Sequence, residues 1–115
     1  MNIPQADQDA YRAQLLNLEE ILDNTYWNAT SGSAKDAIIG LTQNIADIIT
    51  SLDQSALDTT TAKYATLKAT VDTVNTKLKT AQDQINTWVH VVGVAAQVVS
   101  AIAQVLIQAA KVFPV

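Results

Sequence analysis

The stretch YATLKATVDTVNTKLKTAQDQINTW, residues 64–88, places Tyr64, Leu67, Val71, Val74, Leu78, Ala81, Ile85 and Trp88 at alternating spacings of three and four. The positions between them are mostly Thr, Lys, Asp, Asn and Gln. Apolar residues recurring at that spacing line one face of an α-helix. No Gly or Pro falls within residues 41–92, so the turn residues that a chain of short strands requires are missing. The pattern predicts an all-α protein.

Working towards the N-terminus, residues 53–60, DQSALDTT, hold a break, and Asp53, Asp58 or Thr60 each suits the cap of the helix that follows. Before it, Ala34, Ile38, Leu41, Ile45, Ile48 and Leu52 form a second seam. Ser33, with Asp36 behind it, resembles a capping box at its start. Residues 25–33, TYWNATSGS, read as a loop. The first helix starts near Pro4 or Gln5 and carries Asp7 and Asp9 at the positive end of its dipole. Tyr11, Leu15, Leu18 and Leu22 make its seam, widened by Leu16 and Ile21, and it is expected to end near Asn24.

Towards the C-terminus the alternation continues through Val92, Ala95, Val99, Ile102, Leu106, Ala109 and Phe113. There it discriminates little, because almost every residue is apolar. Two readings follow. An unbroken helix over residues 57–112 would be about 80 Å long, far longer than a compact domain of this size. A break near residues 82–88, with Gln82, Asp83, Asn86 and Thr87 as turn residues, gives a hairpin instead, and Gly93 is a second candidate break. The expected architecture is a single antiparallel four-helix bundle over residues 1–115, with helices at about 5–24, 33–52, 57–82 and 87–112. The alternative is three helical elements, the last very long.

Residues 84–110 contain no formally charged side chain, and fourteen of residues 89–107 are Ala, Val, Ile or Leu. That length suffices to span a bilayer. The polar residues His90, Gly93, Gln97, Ser100, Gln104, Gln108 and Lys111 share a narrow arc at 100° per residue, about 80° wide. The opposite face is expected to carry Trp88, Ala95, Val99, Ile102, Leu106 and Phe113. Three explanations fit: a buried bundle helix showing one edge to water, a self-association surface, or a bilayer-inserting helix whose Gln and Ser residues face one another. Trp88 suits either a core seam or an interfacial anchor. His90 is either an exposed imidazole or, if partly buried, a pH switch.

Composition narrows the function classes. The 115 residues carry eleven acids and seven bases, a net charge of −4, which disfavours nucleic acid as a partner. Residues 1–58 hold nine acids and two bases, and the rest two acids and five bases. With no Cys and one His, thiolate sites and His-pair metal sites are excluded within one chain. Glu19, Glu20 and Asp23 lie close on a helix, but the Glu-x-x-His pattern of di-iron bundles is missing. No catalytic, cofactor-binding or metal-binding set is expected, and no small-molecule substrate is implied. The expected role is non-enzymatic, through contact with a protein partner or with itself, using Trp88, Val92, Val99, Ile102, Leu106 and Phe113. The second reading is a membrane-active or membrane-anchored protein using residues 84–110. No basic, apolar leader opens the chain, so the cytoplasm is the expected compartment, with leaderless secretion an alternative.

A helix, a Trp27-containing loop and a second helix resemble the secreted WXG-type helical hairpins. Here Ala29 stands in place of the motif's Gly, and the chain continues with two further helical segments. A bundle with one charge-free helix is also similar in outline to helical pore-forming toxins, without a shared motif.

Overall fold

The computed structural model describes residues 3–54 and 60–113. It contains four helices: α1 (Gln5–Trp27), α2 (Gly32–Gln54), α3 (Ala62–Trp88) and α4 (Val92–Val112). Each helix packs on its neighbours in sequence, α1 closes the ring against α4, and the diagonal pairs stay apart among the described residues. The result is a four-helix bundle 45 Å long and about half as wide. That length rules out the unbroken C-terminal helix.

The three predicted seams converge on one core. Tyr11, Leu15, Leu18 and Leu22 from α1, Ile38, Ile45 and Ile48 from α2, and Val71, Leu78 and Ile85 from α3 are all buried there. At one end an aromatic cluster closes the core. The Phe113 ring lies 6.2 Å from Tyr11, edge-on, and 5.3 Å from Tyr64. The Tyr64 hydroxyl donates to the Val112 carbonyl oxygen at 3.4 Å. Gln8, also buried, donates to the Ile3 carbonyl oxygen at 2.9 Å and so ties the segment before α1 to the bundle.

Several boundaries differ from the sequence reading. The first helix runs to Trp27 rather than Asn24. Thr25 occupies the next seam position after Leu22, is fully buried, and satisfies its hydroxyl on the Ile21 carbonyl oxygen at 2.7 Å. The cap of α2 is Ser31, whose Oγ accepts from the Ala34 N–H at 3.1 Å. Ser33 therefore sits inside the first turn, and Asp36 is too far along to complete a capping box. Thr61, whose Oγ1 accepts from the Tyr64 N–H, caps α3. Of the caps expected for it, Asp58 lies outside the described residues, Asp53 belongs to the last turn of α2 and Thr60 immediately precedes the capping residue.

The break between α3 and α4 falls at Val89–Val91, between the two places expected. Gln82, Asp83, Asn86 and Thr87 are all helical, and Gly93 is already in α4. What ends α3 is the α1–α2 connection. The Thr30 N–H donates to the Trp88 carbonyl oxygen at 2.8 Å, and its hydroxyl lies 3.1 Å from the same oxygen and 3.3 Å from that of Thr87. An isolated antiparallel bridge pairs Ala29 with Val89. Carbonyls left open at a helix C-terminus need such donors, and here they come from a segment almost sixty residues away.

Candidate functional site

The helix of interest is α4. Its buried residues are Ala95, Val98, Ala101, Ile102, Val105, Ala109 and Val112. Against the expected seam, this face is rotated by roughly 70° at 100° per residue. The three non-helical residues 89–91 shift the helical phase, so the pattern carried across from α3 arrives partly turned out of the core: Ala95, Ile102, Ala109 and Phe113 are buried as expected, while Val92 and Val99 are exposed and Leu106 is half-buried. The polar arc is where the sequence placed it: Gly93, Gln97, Ser100, Gln104 and Lys111 are exposed, and Gln108 is half-buried.

The six predicted contact residues do not form one surface. Ile102 is fully buried, and Phe113 belongs to the aromatic cluster. Trp88 is half-buried, packed against the core, and closes one end of an open groove of about 320 Å³ between α2 and α3. That groove is lined by small and apolar residues such as Ala37, Gly40 and Leu41, with Lys77 as its charged side chain. Leu106 is half-buried, while Val92 is 82% and Val99 38% exposed.

The outward face of α4 carries a strip the sequence reading did not isolate. Val92, Ala96, Val99, Ala103, Leu106 and Ala110 follow one another at spacings of four and three, all exposed or half-buried. Ile107 lies beside them, 52% exposed. Between this strip and α1 runs a second groove, lined by Asn17, Ile21, Ala96, Gln97, Ser100 and Gln104, with no charged side chain. On the other side, Gln82 of α3 donates to the Val99 carbonyl oxygen at 3.1 Å. The strip was legible in principle: its spacing is regular, but it competes with the core seam on a helix that is apolar over most of its circumference.

Further exposed apolar residues gather at the end of the bundle where the α1–α2 and α3–α4 connections meet. Trp27 is 74% and Val91 50% exposed there, and Tyr26 is covered by the Trp27 ring and by the Lys35 ammonium 5.2 Å from its centroid. His90 is exposed in the α3–α4 connection. The threonines 66, 70, 73, 80 and 87 face solvent, and those at 70, 73 and 80 donate to carbonyl oxygens four residues back. Among the described residues, no group of three His, Cys, Asp or Glu side chains is placed to hold a metal ion.

No protein-family model, curated protein or solved structure matches the chain.

Proposed function

We propose that the protein is a non-enzymatic helical bundle that works through contact with another protein chain, self-association included. The observation that carries this reading is the outward face of α4. Three large aliphatic residues, Val92, Val99 and Ile107, stand exposed on a helix that bears no charge from its start to Ala110. A lone exposed aliphatic residue is ordinary; a continuous apolar strip on a helix bordered by amides points to a partner. The charge pattern agrees, since protein contact surfaces are depleted of charge at their centres.

A second reading has its own support. Among the described residues, α4 is long and apolar enough to cross a bilayer, and only 33% of its most apolar window is buried in the bundle. Insertion would require α4 to leave α1, its most extensive neighbour, and to strip Gln97, Gln104 and Gln108 of water.

Flotation of the purified protein with neutral and anionic liposomes, followed by dye-leakage measurements, separates the two. On the contact reading the protein stays at the bottom of the gradient with both lipids. Flotation with leakage overturns it in favour of the membrane reading.

A further inference from the structure

We infer that the partner seated on the outward strip of α4 is a second copy of this chain, packed antiparallel along α4. The inference rests on the contact reading above and names its occupant.

The strip alternates in size. Val92, Val99 and Leu106 are large, and Ala96, Ala103 and Ala110, which separate them, are small. When two such helices run antiparallel about a twofold axis, one register sets Val92 against Ala110 of the second copy, Ala96 against Leu106, and Val99 against Ala103. Every large residue then meets an alanine, which is how facing positions interdigitate without voids. The same register brings the exposed Ile107 beside Gly93, whose missing side chain leaves open space. A parallel pairing sets large against large and alanine against alanine, and fills the same surface poorly. A surface complementary to itself is what a twofold interface requires.

Electrostatics agree. The strip itself carries no charged side chain, so two copies bring no like charges together along it. Antiparallel helices also set opposite dipole ends together. The strip alone is one helix wide, so a stable dimer also draws on the flanking residues of the neighbouring helices: α4 is about 31 Å long, and the whole 22 Å width of the bundle along it offers about 700 Å² per partner, against roughly 800 Å² for a standard interface.

The test uses the full chain. Sedimentation velocity across a wide concentration range reads the dimer. Ala96→Glu and Val99→Glu, both at exposed positions, are expected to keep the helical circular-dichroism signal and to weaken the dimer by about 100-fold or more, because each buries an unpaired charge at the interface. The chain has no cysteine, so single Val99→Cys and Ala103→Cys proteins can be mixed and joined with a short thiol cross-linker. A preponderance of 99–103 links supports the antiparallel register. A preponderance of 99–99 and 103–103 links overturns the register and leaves the contact reading standing. A wild-type monomer at every concentration that also stays off liposomes overturns the second copy alone. Flotation with leakage overturns both.

Discussion

Single side chains make several outcomes calculable. Gly40 lies in the middle of α2, half-buried, and a Cβ built there meets nothing within 4 Å. Gly40→Ala is therefore expected to stabilise the protein by about 0.5–1 kcal/mol, read from urea denaturation, because a helix-interior glycine carries an entropic cost and no packing reason retains it. The opposite case is Ile45, fully buried in the same helix. Ile45→Ala should cost about 2–5 kcal/mol, and Leu41→Asp, Ile45→Asp and Val74→Asp should each abolish the cooperative thermal transition by burying an unpaired charge. If all three aspartate variants melt like the wild type, the seams are misassigned. Tyr11 supplies a pH dependence. Burial pushes its phenol above the ordinary value, so the folded state holds it neutral while the unfolded chain ionises near pH 10. Its contribution to stability is complete below that pH and declines as pH rises above it. Denaturation of the wild type and of Tyr11→Phe across that range should show a steeper alkaline loss in the wild type.

Among the elements, the α1–α2 connection does more than join two helices. Thr30 donates to the last carbonyls of α3, and Ser31 caps α2 from the neighbouring position. Ser31→Ala should cost about 1 kcal/mol through loss of the cap. Thr30→Pro removes both the hydroxyl and the N–H that holds Trp88, so its cost should exceed that of Thr30→Ala. Hydrogen exchange should then quicken first at the C-terminal end of α3 rather than in α2. Equal protection at both sites in Thr30→Pro would show that α3 ends without help from α1–α2. The helix seams themselves were readable from spacing alone, and α1, α2 and α3 bury the residues of their narrow seams except Trp88, which is half-buried; of the two residues expected to widen the α1 seam, Ile21 is half-buried and Leu16 is exposed. The caps were less readable. A serine at 31 and one at 33 look alike in sequence, and only the backbone geometry of the turn picks one.

At the scale of the whole molecule, the bundle arranges its helices so that α4 contacts α1 on one side and α3 on the other. Its core face is thereby covered, and of the strip from Val92 to Ala110 the residues Val92, Ala96, Val99 and Ala110 remain exposed, while Ala103 and Leu106 are half-buried, Leu106 against the core. A helix apolar over most of its circumference cannot bury all of it in a ring of four, since each member has only two neighbours. This geometric remainder is why α4 can serve as a core element and also offer a contact surface, and why the polar arc alone did not reveal which of its apolar faces would be left over.

The sequence by itself determined the all-α class and the seams of α1, α2 and α3, and left open whether residues 57–112 form one helix or two. Those follow from the 3.6-residue period acting on local patterns, and every residue needed to read them lies within a few turns of the next. Only the tertiary structure decided where α3 stops and how α4 is rotated. The stop depends on hydrogen bonds from Thr30 across the bundle. The rotation depends on three extended or irregular residues between the helices, which shift the phase of a pattern too uniformly apolar to carry its own.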